Sequence, residues 1–200
     1  MEQNLPQNFE EFGLNEALLK GVKEAGFTVP SPIQALSIPL IKEGKDVIGQ
    51  AHTGTGKTAA FGLAAMDKID RNGGVQVLIV TPTRELAMQV SDELFKLGRF
   101  AGVKTATVYG GQSAGRQIKF IEDGAQIVVA TPGRLLDLLS SNRLRSFDPK
   151  IVILDEADEM LDMGFYDDII DIFTYLPKER QTLLFSATMD KKIKDLINKL

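Results

Sequence analysis

Two short stretches carry residue types suited to handling a phosphate chain. In "GQAHTGTGKTAAF", Gly49–Phe61, the letters Gly56-Lys57-Thr58 supply the end of the phosphate-loop pattern G-x-x-x-x-G-K-[ST]. Gly54 and Gly56 let backbone N–H groups wrap a phosphate, and a helix opening at Lys57 adds its favourable N-terminal dipole. The Lys57 ammonium suits β- and γ-phosphates, while the Thr58 hydroxyl suits a Mg²⁺ ion bound to them. One letter departs from the pattern: Ala51 stands where the first glycine belongs. His52 lies in the same loop, but its neighbours already account for the phosphate chemistry, so it reads as a loop residue. In "IVILDEAD", Asp155 and Glu156 end a strongly apolar run. With a phosphate loop upstream, the first carboxylate can hold the metal, usually through water, and the second can orient or deprotonate an attacking water.

These groups need elements to hold them. Six short β-branched runs, "DVIGQA", "VQVLIVT", "KTATVYG", "AQIVVAT", "PKIVILD" and "QTLLFSA", predict buried strands. Between them, apolar residues recur at helical spacing, as in Leu86, Val90, Leu94 and Leu97, then Leu135, Leu136, Leu138 and Leu139. Strand–helix alternation predicts an α/β fold: a parallel sheet with helices on both faces and ligand sites beyond the carboxyl ends of its strands. Both motifs fall at such ends. Residues 1 to about 35 read as a helical or irregular flank punctuated by Gly26, Pro30 and Pro32. "EMLDMGFYDDIIDIF" reads as one helix with Glu159 as a solvated charge at its start, and the lysines of "DKKIKDLINKL" as the solvated face of an amphipathic helix.

Composition narrows the class. Two hundred residues, 44% hydrophobic and 25% charged, suit one folded globular unit. A net charge of −4 confines any nucleic-acid contact to a local site. The absence of cysteine excludes disulfides and thiolate metal sites, and a single histidine argues against a histidine zinc site. The acidic start "MEQNLPQNFEEF" is unlike a signal peptide, and no apolar run approaches the roughly 20 residues of a membrane span. A cytoplasmic, monomeric protein without membrane contact is the expectation.

"DEAD" is spelled out at 155–158, and residues 51–58 read "AHTGTGKT". With these letters the chain resembles, from Phe9 to Thr188, the first RecA-like domain of a DEAD-box RNA helicase. That family writes its loop A-x-T-G-x-G-K-T, so Ala51 is its expected letter. The resemblance implies a RecA-like phosphate-loop fold with ATP and Mg²⁺ as cofactors and RNA as partner. It divides the chain into a flank, 1–35, and a RecA-like ATP-binding domain, 36–200, forming one folded unit.

Residue by residue, the resemblance assigns Lys57, Asp155 and Glu156 to catalysis, Thr58 and Asp155 to the metal, and Thr53, Gly54, Thr55, Gly56, Lys57 and Thr58 to the nucleotide. "GFTVPSPIQ", Gly26–Gln34, resembles the adenine-reading Q motif: the Gln34 amide can pair with the base edge, Phe27 can give it an apolar surface, and Phe9 supports that pocket. Read from residue type alone, both phenylalanines are core and Gln34 is exposed. Thr83 and Arg84 of "PTRELA", Gly111 of the Gly110-Gly111 pair, and Thr131, Gly133 and Arg134 of "TPGR" resemble the family's RNA-backbone contacts. On residue type, Thr83 and Arg84 also fit a helix cap with a structural arginine, and Arg116 and Lys119 fit a solvated helix face as well as added RNA charge. Asp158 with Ser186 and Thr188 of "SAT" resembles the link coupling nucleotide state to RNA.

The family's second RecA-like domain, with arginines that reach the γ-phosphate, has no counterpart before Leu200. Such an arginine is worth roughly 10³ to 10⁵ in rate, so this domain alone is expected to bind nucleotide weakly and hydrolyse it very slowly. The competing readings are a non-catalytic nucleotide- or RNA-binding module and a phosphate-loop DNA motor domain.

Overall fold

The computed structural model describes residues 5–144 and 147–200. Six parallel strands form one sheet: β1 (Val47–Gln50), β2 (Val77–Val80), β3 (Thr105–Val108), β4 (Ile127–Ala130), β5 (Ile151–Leu154) and β6 (Gln181–Ser186). Their spatial order is β1-β6-β5-β2-β4-β3, with each neighbouring pair parallel. All six expected strands are present. The helices are α1 (Glu16–Glu24), α2 (Pro32–Lys42), α3 (Lys57–Met66), α4 (Arg84–Gly98), α5 (Ala114–Glu122), α6 (Pro132–Ser140), α7 (Ala157–Asp162), α8 (Tyr166–Thr174) and α9 (Lys191–Ile197).

The central strands β2, β4 and β5 are buried on both faces, as expected, and alternate residues serve opposite layers, whereas the edge strands β1 and β3 are only partly buried, because each has a neighbour on one side alone. Ile79, Val129, Ile153 and Phe185 turn towards α1 to α4. Their neighbours Val80, Val128, Leu154 and Leu184 turn towards α5 to α9. The helical spacing read from the sequence meets these layers: Val90, Leu94 and Leu97 are buried on one side, Leu135, Leu138 and Leu139 on the other. On α9, Ile193 and Leu196 face inward and the lysines face solvent, as expected.

One sequence reading changes. The segment "EMLDMGFYDDIIDIF" is not one helix: α7 stops at Asp162, Gly164 turns with φ of 88°, and α8 begins at Tyr166. A left-handed turn of this kind ends a helix and favours glycine. The seam expected at residue 35 falls inside α2, and Phe9, Phe12, Leu18 and Val22 share the core layer of α3 and α4.

Candidate functional site

The loop 51–56 leaves the end of β1 and enters α3, while β5 ends beside it at Asp155. Gly54 and Gly56 both hold positive φ, 83° and 87°, and Gly56 is the N-cap of α3. Lys57 Nζ sits 2.7 Å from Glu156 Oε1 and 3.6 Å from Asp155 Oδ1, with all three side chains at least nine-tenths buried. Thr53 Oγ1 donates to the same Glu156 oxygen at 3.0 Å. A cavity of about 380 Å³ adjoins them, lined by Thr53, Gly54, Gly56, Lys57, Thr58, Asp155 and Glu156 among others. Residues 99 positions apart in the chain thus converge on one point.

Burial shapes the electrostatics here. Desolvation pushes the Asp155 carboxyl up to about 6 and the Glu156 charge adds to that, against the opposing pull of Lys57. Glu156 itself has φ of 54° and ψ of 52°, a left-handed conformation costly for a side chain larger than glycine's. Strain of this sort persists where surrounding structure fixes a residue, and it is found at functional sites.

Gln34 is buried, where its residue type alone suggested exposure. Its Oε1 accepts from the Ser31 N–H at 2.9 Å and its Nε2 donates to the Gly56 carbonyl at 3.1 Å. Ser31 Oγ donates to the Thr55 carbonyl at 2.8 Å. The amide expected to read adenine therefore also ties the start of α2 to the phosphate loop. Phe27 lines the cavity, and Phe9 stands behind it, edge-on at 6.1 Å between ring centroids.

The second group of expected residues lies at the ends of β2, β3 and β4. Thr83 caps α4 by accepting from the Leu86 N–H at 3.2 Å, and Arg84 stacks over the Tyr109 ring at 4.8 Å. Gly111 has φ of 83°. Thr131 stands at the N-cap position of α6 without a side-chain capping bond, and Gly133 is exposed in its first turn. Arg134 is largely enclosed, donating to the Gln112 carbonyl at 3.0 Å and to Gln117 Oε1 at 3.1 Å. Just past the ends of β5 and β6, the Thr188 N–H donates to Asp158 Oδ2 at 3.0 Å. Burial raises the Asp158 carboxyl, but the Ser186 hydroxyl and the Thr188 groups outweigh it and hold the carboxyl below its usual range. The Ser186 hydroxyl acts through proximity, since its buried Oγ lacks a partner in hydrogen-bond geometry.

Residue type did not reveal Gln89 and Glu93, which reach the same cavity from α4. Burial raises the Glu93 carboxyl, opposed by Lys96, the Ala59 N–H and the Thr58 hydroxyl. Their spacing of four on one helix face was the available signal.

A glycine loop and lysine at one strand end, facing paired carboxylates at another in an all-parallel sheet, define a phosphate-loop nucleotide-binding domain. A family model for the DEAD/DEAH box helicase matches residues 31–196. The chain is 58% identical over 193 residues to the DEAD-box ATP-dependent RNA helicase RhpA of Helicobacter pylori, covering 96% of this chain and 39% of that protein. It is 56% identical over 187 residues to the DEAD-box ATP-dependent RNA helicase CshA of Streptococcus pneumoniae, covering 93% of this chain and 36% of that one. A crystal structure of a DEAD box protein from the hyperthermophile Methanococcus jannaschii superposes with a TM-score of 0.94 at 42% identity, over 98% of this chain and 54% of that one. The chain belongs to the DEAD/DEAH box helicase family, with a RecA-like α/β fold. It spans less than half the length of these curated relatives. Among the described residues no helix is long and apolar enough to cross a membrane.

Proposed function

We propose that this chain is the ATP- and RNA-binding domain of an ATP-dependent RNA helicase. The observation that carries the reading is the convergence of Lys57, Asp155 and Glu156 beside the phosphate loop. The residues present suit a Mg²⁺-nucleotide. Thr58 and Asp155 offer one hydroxyl and one carboxylate, a sparse set that matches an ion which keeps waters and phosphate oxygens as its remaining ligands. ATP with Mg²⁺ supplies the γ-phosphoryl group and the charge that neutralises it.

In this reading Lys57 exchanges its carboxylate partners for phosphate oxygens, and the loop N–H groups from Gly54 to Thr58 bond the same chain. Glu156, released from Lys57, orients the attacking water and accepts its proton. Phe27 and Gln34 hold the base, with Phe9 backing the pocket. Thr83, Arg84, Gly111, Thr131, Gly133 and Arg134 form a track for the RNA backbone, indifferent to sequence because phosphates and sugars carry little of it. Asp158, Ser186 and Thr188 join the two ligand sites.

A second RecA-like domain completes the reading, closing on ATP and RNA to pry a short duplex apart and supplying arginines at the γ-phosphate. The same reading is of a monomer in the cytoplasm. ATPase turnover of the full-length helicase with RNA or DNA added tests it. RNA stimulates turnover in the wild type, and Lys57→Ala and Glu156→Gln each remove at least a hundredfold of it. Equal stimulation by DNA makes the chain part of a DNA motor. Binding without turnover in the wild type makes it a non-catalytic module.

A further inference from the structure

Gln117 was not singled out by residue type, yet it sits at the centre of the second group. It is 5% exposed on α5, and both ends of its amide are engaged. Nε2 donates to the Tyr109 carbonyl at 2.9 Å, and Oε1 accepts from Arg134 Nη1 at 3.1 Å. The same Nη1 donates to the Gln112 carbonyl at 3.0 Å, fixing one edge of the guanidinium. Tyr109 in turn carries Arg84 on its ring. One amide therefore links the two arginines that flank the Gly110-Gly111 turn.

We infer that Gln117 is a positioning residue for the RNA track, holding the Arg134 fork and joining it to the strand end that carries Arg84. The inference rests on the proposed RNA-backbone role of this face. Its physical content is preorganisation. A long arginine side chain loses rotamer freedom when it grips a phosphate, and a fork already held on one edge has lost much of that freedom beforehand. Arg134 Nη2 has no hydrogen-bond partner among the described residues and remains available to an incoming oxygen. The partner's neutrality also matters: an amide orients the guanidinium and leaves its charge, whereas a carboxylate there would cancel it. The nearest acid, Asp137, lies 3.9 Å from Nε and is mostly exposed, so water screens it.

The test measures affinity for a short single-stranded uridine oligonucleotide by fluorescence anisotropy across a salt series, with the whole chain. Gln117→Met, close in length and without hydrogen-bonding groups, weakens binding about tenfold. It flattens the salt dependence by up to about 0.7 in logarithmic slope, one phosphate contact on a single strand. In an Arg134→Ala background the same substitution costs a clearly smaller factor in affinity, only what passes through Tyr109 and Arg84. Gln117→Glu keeps the grip on Arg134 while cancelling its charge, gives up the bond to the Tyr109 carbonyl, and flattens the slope; circular dichroism at the assay temperature checks that both variants are folded. The inference fails if Gln117→Met costs the same factor in both backgrounds, if it lowers only the melting temperature, or if Gln117→Glu binds like wild type. Wild-type binding by both Arg84→Ala and Arg134→Ala would instead overturn the RNA-track reading itself.

Discussion

Gly56 has to satisfy two demands at once, because its backbone lies in the left-handed region while its carbonyl accepts the Gln34 amide. A Cβ there would stand 2.4 Å from Gln34 Nε2. Gly56→Ala therefore combines a backbone cost of about 1–2 kcal/mol with displacement of the amide that ties the loop to α2. By calorimetry it is expected to abolish nucleotide binding, whereas Ala51→Gly, at the entrance of the loop, changes affinity less than threefold. The reverse order would place the tight turn elsewhere. Asp155 gives the metal-free protein one pH-dependent contribution to stability. Its carboxyl titrates at about 6 when folded against an ordinary 3.8, so between those values the folded form holds more protons. Stability from this group is greatest below pH 4 and is lost as pH rises through 6. Asp155→Asn cannot ionise and escapes that loss. With chelator present, its stability relative to wild type should rise by about 3 kcal/mol between pH 4 and pH 7 by urea denaturation. A flat difference would mean that the carboxyl is not desolvated.

The central strands were legible because a sheet buried on both faces demands unbroken apolar runs, and "VLIV", "IVVA" and "IVIL" supply nothing else. The site's charged groups were legible for the related reason that an acid pair or a glycine-lysine turn at a strand end has few other uses. What escaped were polar residues whose partners lie far along the chain. Gln34 bonds Gly56, Gln117 bonds Arg134, and Gln181 donates to the Ile41 and Lys45 carbonyls, more than a hundred positions away. A glutamine carries no mark of burial in its own type; only the folded neighbour that takes its hydrogen bonds makes burial affordable. The break between α7 and α8 escaped for a different reason. Helical periodicity continues across Met163 and Phe165, and a single glycine turn interrupts the backbone without interrupting the pattern.

At the scale of the molecule, the question is whether the first 35 residues are an appendage or part of the domain. Leu18 is fully buried, and α1 crosses α4 so closely at Gly21 that a Cβ would lie 1.9 Å from the Leu97 carbonyl oxygen. The Lys42 ammonium bonds the Phe12 and Gly13 carbonyls and pairs with Asp67 at 2.9 Å, tying the start of the chain to α2 and the end of α3. Asn15, the N-cap of α1, donates to the same aspartate. Since α3 begins at Lys57, strain in the flank has a rigid route to the phosphate loop. Leu18→Ala should cost about 2–5 kcal/mol, and Gly21→Ala as much or more because backbone atoms must separate. Unfolding in urea can be followed both by circular dichroism and by release of a fluorescent nucleotide. If the chain is one cooperative unit, both probes shift together to lower urea in each variant, with a single transition. A separate early transition in circular dichroism, with nucleotide release unmoved, would show that the flank docks on a domain able to stand without it.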